Sequence, residues 1–199
     1  MTDEILRQFP ITTPNIMQSQ VEVILRSIEE TEGIPGDVVE LGCHAGLTSV
    51  YIRRVLDALG SKREFHAYDS FEGLPEKLPE DEAIGPQAAI FKWGHFDLKG
   101  TWQIENRFET SNLTPPVIHK GWFKDQEYPE KISFGFLDGD FYSSIKDSLD
   151  KVLPRLQSGG ILCIHDYKWD QLPGVEKAVA EQLGDLPSPV FGLGVYRKP

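Results

Sequence analysis

Cysteine and long apolar runs are both scarce in this sequence of 199 residues. The two cysteines, Cys43 and Cys163, stand in apolar, strand-like stretches, so a disulfide framework is excluded and both are predicted to be free, buried thiols. No apolar run is long enough to span a bilayer, and the first residues lack the basic and apolar regions of a signal peptide. We therefore expect a cytoplasmic protein without a membrane partner.

Positive charge is also in short supply. The chain has 20 Lys and Arg residues against 31 Asp and Glu residues, a net charge of -11 at pH 7. A surface this acidic repels a phosphate backbone, so nucleic acid is not an expected partner. A GxGxxG fingerprint is absent as well, which counts against a nicotinamide-dependent oxidoreductase.

Short apolar stretches alternate with segments of helical periodicity along the chain. The predicted strands are residues 37–41, 64–68, 116–120, 131–137 and 161–164, with a closing hairpin at 189–197. The predicted helices are residues 17–28, 47–58, 145–156 (closed by Gly159 and Gly160) and 175–183. This order predicts an α/β fold with a doubly wound, mostly parallel sheet. We expect one domain over residues 1–199, with an N-terminal helical segment at about 14–32 and a lid-like insertion at about 72–100.

Glycine and acidic residues cluster where the first two predicted strands end. In the run ELGCHAG of residues 40–46, Gly42 and Gly46 would let the backbone approach a ligand, and Glu40 suits a cationic ligand better than a phosphate. Asp69 closes the second strand, where a carboxylate can accept both hydroxyls of a ribose. Gly42 as a simple turn residue is the alternative. Together these motifs predict an adenosine-type ligand at the carboxyl ends of the strands.

Four more polar residues follow the fourth and fifth predicted strands: Asp138, Asp140, His165 and Asp166. If these strands are neighbours, three carboxylates and an imidazole crowd at one sheet edge, and a divalent metal would neutralise them. Such a metal would also lower the pKa of a bound hydroxyl. The alternative is that Asp138 and Asp166 only cap the elements that follow them.

Five runs of sequence together resemble the macrocin O-methyltransferase family: GIPGDVVELGCHAG (33–46), YDSFEGLP (68–75), HKGWF (119–123), FLDGDFYSSIKDSL (136–149) and PRLQSGGILCIHDY (154–167). The resemblance spans about residues 16–183 and implies a class I methyltransferase fold with seven strands, the last antiparallel. It implies metal-dependent methylation of a hydroxyl on a natural-product sugar or related small molecule. It further implies an S-adenosylmethionine site lined by Glu40, Gly42, Gly46, Asp69 and Ser70.

By the same resemblance, Asp138 and Asp166 match metal ligands and Asp140 matches a candidate general base. The family usually has an acid where this chain has His165, which would favour Mn²⁺, Fe²⁺ or Zn²⁺ over Mg²⁺. Alternatively His165 is itself the base and the metal is weak or absent, or His165 is simply bonded to a neighbouring carboxylate. We predict a divalent metal, Mg²⁺ or Mn²⁺, held by Asp138, His165 and Asp166, with the catalytic base left open between Asp140 and His165.

Other assignments stay open at this stage. A non-catalytic adenosyl-ligand binder that regulates a partner and a nicotinamide-dependent oxidoreductase are the competing functions. The acceptor is not predicted beyond a small molecule with a hydroxyl, and a homodimer is considered without a sequence signal for it. His44 is expected at the ligand or at the surface. Four aromatic residues are expected either as walls for adenine or substrate or as core: Trp93, Trp102, Trp122 and Phe123.

Overall fold

The computed structural model describes residues 1–11, 13, 15–82, 91–184 and 186–199. The strands are β1 (Asp37–Leu41), β2 (Phe65–Asp69), β3 (Val117–Lys120), β4 (Ile132–Leu137), β5 (Leu156–Ile164), β6 (Ser188–Val190) and β7 (Leu193–Arg197). The helices are α1 (Thr2–Gln8), α2 (Gln18–Glu30), α3 (Leu47–Leu59), α4 (Trp102–Thr110), α5 (Tyr142–Val152) and α6 (Pro173–Gln182). Short 3-10 turns cover Pro79–Asp81 and Phe123–Asp125. In these described ranges no helix has the length and apolar character needed to cross a membrane.

The seven strands form one sheet in the order β3-β2-β1-β4-β5-β7-β6. β1 to β5 are parallel to one another, whereas β7 runs antiparallel to both β5 and β6. The two residues between β6 and β7, Phe191 and Gly192, both have positive φ angles (50° and 82°), which suits a tight hairpin turn. The predicted α/β fold with a final antiparallel strand is confirmed.

The sheet separates two apolar cores, because successive residues of a buried strand point to opposite faces. Val38 packs with the layer that contains α1 to α4, and its neighbour Val39 packs with the layer of α5 and α6. Both cysteines are buried and free, as predicted. The continuous apolar runs that predict these strands therefore reflect burial on both faces.

The predicted end of the helix before β5 is wrong. α5 ends at Val152, and Pro154 cannot extend it, because proline has no backbone N–H to donate to the preceding turn. Gly159 and Gly160 lie inside β5 instead of capping the helix. Gly159 has a φ of 79°, and its N–H donates to the carbonyl of Lys198 at 2.8 Å, so the glycines bend the strand against the end of β7.

Two helices, α1 and α4, are not part of the sequence-based prediction. α1 buries Ile5 and Leu6, and its first residue donates from Thr2 N–H and Oγ to Glu29 Oε1 at 2.9 Å each. α4 buries Ile104 and Phe108, which stand four residues apart and so share one face. This spacing is the signal from which α4 could have been predicted.

Candidate active site

A cavity of about 730 Å³ opens at the carboxyl ends of β1, β2, β4 and β5. Seven of the predicted site residues line it: Gly42, Asp69, Ser70, Asp138, Asp140, His165 and Asp166. The other two, Glu40 and Gly46, are not among the lining residues. The structure thus brings the nucleoside motif and the acidic cluster to one cavity, as expected for the ends of neighbouring parallel strands.

Backbone hydrogen bonds fix the relative positions of these strand ends. Gly42 N–H donates to the carbonyl of Tyr68 at 2.8 Å, and Asp138 N–H donates to Leu41 at 2.8 Å. His165 N–H donates to the carbonyl of Leu137 at 2.9 Å. The first residue after each of these strands is therefore held by a backbone hydrogen bond to the end of the neighbouring strand. These bonds make the cavity floor rigid.

A glycine is required at position 42 because the ends of β1 and β4 approach each other closely there. Its φ is 95°, and a Cβ at this position would lie 1.9 Å from the carbonyl oxygen of Asp138. No other residue allows this approach. The turn after β1 and the acidic cluster after β4 consequently share direct backbone contact.

Asp69 links the turns that follow β1 and β2. Its Oδ2 accepts from His44 N–H at 2.8 Å and its Oδ1 accepts from Phe71 N–H at 2.7 Å. Burial raises the pKa of Asp69, against these two hydrogen bonds, which lower it. Ser70 organises the same turn, donating from Oγ to the carbonyl of Gly73 at 3.0 Å. Asp69 is therefore positioned beside the glycine turn, at the cavity wall.

Glu40 lies under the glycine turn instead of facing the cavity. Its residue is 1% exposed, and its carboxyl is hydrogen-bonded to the hydroxyl of Ser49 on α3. Burial raises the pKa of Glu40 to about 8, with further contributions from the charges of Asp138 and Asp69. The carboxyl is therefore largely protonated at neutral pH.

Gly46 connects the glycine turn to α4. A Cβ on Gly46, whose φ is 76°, would lie 2.6 Å from Cγ1 of Ile104. Arg107, also on α4, donates from Nε to the carbonyl of Ala45 at 2.6 Å. α4 thus holds the glycine turn from outside, a contribution that the motif alone does not reveal.

Asp138, His165 and Asp166 form a compact group whose candidate ligand atoms lie within 4.8 Å of one another. Nδ1 of His165 is 2.9 Å from Oδ1 of Asp138 and 3.1 Å from Oδ2 of Asp166. Neither oxygen is aligned for a hydrogen bond, so this buried nitrogen has no hydrogen-bond partner among the described residues. Burial opposes the charged imidazole, but the two carboxylates outweigh it and raise the pKa of His165 well above its usual value.

Asp140 lies two residues after Asp138, on the loop that follows β4. It has a φ of 60°, an uncommon conformation for a residue with a side chain, and it lines the cavity. Burial raises the pKa of Asp140 well above its usual range, and the charges of Asp138 and Asp166 raise it further. A carboxylate in this position is a stronger base than one in water.

Aromatic side chains form part of the cavity wall. Phe91 and Trp169 meet edge to face with ring centroids 5.8 Å apart, and His95 stacks on Phe96 at 4.2 Å. Of the four aromatic residues predicted as walls or core, Trp122 and Phe123 line the cavity, whereas Trp93 and Trp102 are 71% and 61% exposed. His44 lines the cavity too.

Several lining residues come from segments without a motif. The end of the linker before α2, the start of α2, the β6–β7 turn and the loop after β5 supply Asn15, Ile16, Met17, Gln20, Gly192, Lys168 and Trp169. The predicted insertion contributes Gly73, Leu74, Pro75, Phe91, His95 and Phe96, while its residues 83–90 lie outside the described part of the chain. Gly73, Leu74 and Pro75 end the run YDSFEGLP (68–75), but the other positions have no motif of their own, and only the fold brings them together.

The family described as Macrocin-O-methyltransferase (TylF) matches residues 15–186. The chain belongs to this family. The chain is therefore an S-adenosylmethionine-dependent O-methyltransferase. A nicotinamide-dependent oxidoreductase is not supported.

Two curated relatives are similar over most of the chain. The 8-demethyl-8-(2,3-dimethoxy-alpha-L-rhamnosyl)-tetracenomycin-C 4'-O-methyltransferase of Streptomyces olivaceus is 33% identical over 188 residues, which cover 90% of this chain and 70% of that protein. Mycinamicin III 3''-O-methyltransferase of Micromonospora griseorubida is 30% identical, covering 84% of this chain and 66% of that protein. The solved structure of the O-methyltransferase NovP shares the fold, with a TM-score of 0.77 at 24% identity over 92% of this chain and 81% of that chain.

Proposed function

We propose that the chain transfers the methyl group of S-adenosylmethionine to a sugar hydroxyl of a small glycosylated natural product. One observation carries this proposal: Gly42 and Asp69 line the same cavity as Asp138, Asp140 and His165. A nucleoside held by the first pair therefore lies next to groups that can bind and deprotonate a hydroxyl. The name of the Streptomyces olivaceus relative, which acts on a rhamnosyl compound, supports the sugar as acceptor.

The cofactor occupies the part of the cavity at the ends of β1 and β2. The tight turn at Gly42 allows close approach of the backbone, and the carboxylate of Asp69 accepts the ribose hydroxyls. Ser70 lines the same wall. Glu40 and Gly46 act indirectly in this proposal, since they position the turn from beneath and from the side of α4.

The residues at the ends of β4 and β5 fit a divalent metal. The unpartnered Nδ1 of His165 points between two carboxylates, and a cation there would satisfy all three groups. Asp138, His165 and Asp166 would hold it. When bound, a divalent cation would lower the pKa of the acceptor hydroxyl and fix its orientation.

Asp140 is the general base in this proposal. Nδ1 of His165 lies 2.9 Å and 3.1 Å from oxygens of Asp138 and Asp166 without a hydrogen bond to either, a spacing that supports a ligand role for the imidazole over a base role. Asp140 accepts the hydroxyl proton as the acceptor oxygen attacks the methyl carbon. The new C–O bond forms as the C–S bond breaks, and S-adenosylhomocysteine leaves with the electron pair on sulfur. The cavity walls contribute by holding oxygen, carbon and sulfur in line.

The direct test is methyl transfer measured on a panel of glycosylated small molecules with S-adenosylmethionine. We expect an acceptor to gain the mass of one methyl group while S-adenosylhomocysteine forms. Asp140→Asn is expected to lower kcat by about 10²- to 10⁴-fold, because the amide cannot accept the proton. Cofactor affinity, measured by titration calorimetry, is expected to stay unchanged in this variant.

Asp57→Asn is the matched control, since the side chain of Asp57 on α3 is 48% exposed and is not among the residues that line the cavity. It is expected to behave like the wild type. Absence of S-adenosylmethionine binding would refute the proposal. Cofactor binding with no methyl transfer to any member of a broad panel would favour a regulatory adenosyl-ligand binder instead.

A further inference from the structure

We infer that the Asp138–His165–Asp166 site selects a first-row transition-metal dication over Mg²⁺, and that His165 is the residue that determines this choice. The inference rests on the metal site of the proposed function and concerns which ion that site takes. It depends on the position of one nitrogen atom, Nδ1 of His165.

That nitrogen is placed as a ligand atom. His165 is 8% exposed, and its Nδ1 lies 2.9 Å and 3.1 Å from one oxygen of each flanking carboxylate without a hydrogen bond to either. Two atoms that bind one small dication at about 2.1 Å, at right angles, lie about 3 Å apart. The spacing therefore matches neighbouring ligands of a single ion.

The backbone fixes this arrangement before any ion binds. His165 N–H donates to the carbonyl of Leu137 at the end of β4, and Asp138 N–H donates to Leu41 at the end of β1. Asp166 follows directly, with a φ of 54° that turns the chain out of the strand. The three ligand side chains are consequently held by rigid strand ends. An ion bound between the two carboxylates therefore cannot easily avoid the imidazole of His165.

The donor set decides the preferred ion. Magnesium prefers oxygen ligands and loses its bound water reluctantly, whereas an imidazole nitrogen suits manganese, iron, cobalt and zinc. Two carboxylates and one imidazole are thus a mixed set that favours the transition metals. An aspartate in place of His165 would give three carboxylates and remove that preference.

The test measures metal binding, without turnover. Chelator-stripped protein is titrated with MnCl₂ and with MgCl₂, and the ratio of the two dissociation constants is compared between wild type and His165→Asp. Transition metals bind most sites more tightly than Mg²⁺, so the change in the ratio is decisive. We expect the preference for Mn²⁺ to fall about ten-fold or more in His165→Asp.

His44→Asn is the matched control. His44 lines the same cavity and has a φ of 45°, which asparagine tolerates, so this variant removes an imidazole without removing a ligand. Its ratio is expected to equal that of the wild type. A second readout needs no variant: the pulsed EPR spectrum of the Mn²⁺-loaded wild type is expected to show coupling to an imidazole nitrogen.

An equal ratio in wild type and His165→Asp, or a spectrum without nitrogen coupling, would overturn the inference while leaving an oxygen-ligated metal site intact. Absence of binding of both ions to the wild type would overturn the inference and the metal part of the proposed function. Methyl transfer by such a metal-free protein would still support the proposed reaction, so the two failures are distinguishable.

Discussion

At the scale of single residues, the site combines groups that face the ligand with groups that hold those residues in place. Asp69 and Asp140 line the cavity, whereas Glu40 is buried beneath the glycine turn. The acid and the first glycine of the run ELGCHAG (40–46) therefore have two different roles. The acid interacts with α3 through Ser49, and the first glycine provides the close backbone approach.

The buried Glu40 predicts an unusual dependence of stability on pH. Its pKa is raised by burial to about 8 in the folded chain, from about 4.5 when unfolded. The folded state therefore keeps a proton that the unfolded state releases, and wild type loses stability as the pH rises through this window. The side chain in Glu40→Gln stays neutral at every pH. The free energy of unfolding of this variant is therefore expected to rise relative to that of the wild type as the pH increases, by up to roughly 4 kcal/mol above pH 8.

Urea unfolding of the ligand-free proteins at pH 5, 6.5 and 8.5 measures this difference. The free energies of unfolding of the two proteins are expected to lie closest together at pH 5, near the pKa of an unfolded glutamate, and to diverge at pH 6.5 and 8.5. A constant difference across the whole range would show that Glu40 titrates normally. The hydroxyl of Ser49 can serve the amide as well as the carboxyl, so the hydrogen bond does not obscure the comparison.

At the scale of secondary structure elements, the glycine turn depends on α4. Gly46→Ala is expected to cost about 1–2 kcal/mol for the left-handed backbone, plus the cost of moving Ile104 away from the new Cβ. Since α4 also binds the turn through Arg107, this shift is expected to weaken S-adenosylmethionine binding about ten-fold. Urea unfolding and titration calorimetry measure the two effects.

Gly60→Ala separates backbone strain from the clash. Gly60 closes α3 with a φ of 64°, and nothing lies within 4 Å of a Cβ built there. This variant is expected to lose the backbone cost alone and to bind the cofactor normally. The double variant Gly46→Ala/Ile104→Ala is expected to lose less free energy of unfolding than the sum of the losses of the two single variants. Full additivity would contradict the contact.

The sequence predicts the elements best where local pattern and burial agree. The strands β1 and β4 are mostly apolar because both faces of the sheet are covered, and the site residues Gly42 and Asp138 follow them directly. The acidic cluster is predictable for the same reason, since neighbouring parallel strands end at one edge. Helix α1, in contrast, is short and largely charged, and its stability comes from packing on α2 that no local pattern encodes.

The parts of the cavity wall that carry no motif could not be predicted residue by residue from the sequence. Gln20, Trp169 and Gly192 stand in three separate segments, and tertiary structure alone places them around one cavity. Gly159 and Gly160 mislead for a related reason. They follow a helical pattern in the sequence, but the earlier stop at Pro154 and the pairing of β5 with β7 determine their conformation.

At the scale of the whole molecule, charge is concentrated where the ligands are proposed to bind. The chain carries a net charge of -11, and four carboxylates line one cavity: Asp69, Asp138, Asp140 and Asp166. Crowded carboxylates destabilise the ligand-free protein unless protons or cations neutralise them. The sulfonium cofactor and a divalent metal both carry positive charge, so both are expected to stabilise the fold. Exclusion of nucleic acid remains a prediction from the net charge.

Ligand-linked stability tests this arrangement with the intact protein. S-adenosylhomocysteine at about 100 times its Kd is expected to raise the free energy of unfolding by about 2.7 kcal/mol, and MnCl₂ at the same multiple of its own Kd by a similar amount. Because Asp69 and His165 belong to separate parts of the cavity wall, the two increments are expected to add within about 0.5 kcal/mol. Asp69→Asn is expected to lose the first increment at the same ligand concentration and to keep the second.

Mutually exclusive binding of the two ligands would mean that they compete for one position, and the separation of cofactor from metal would then fail. Increments well above their sum would instead reveal coupling through the backbone contact of Gly42 with Asp138, where the two halves of the site touch directly.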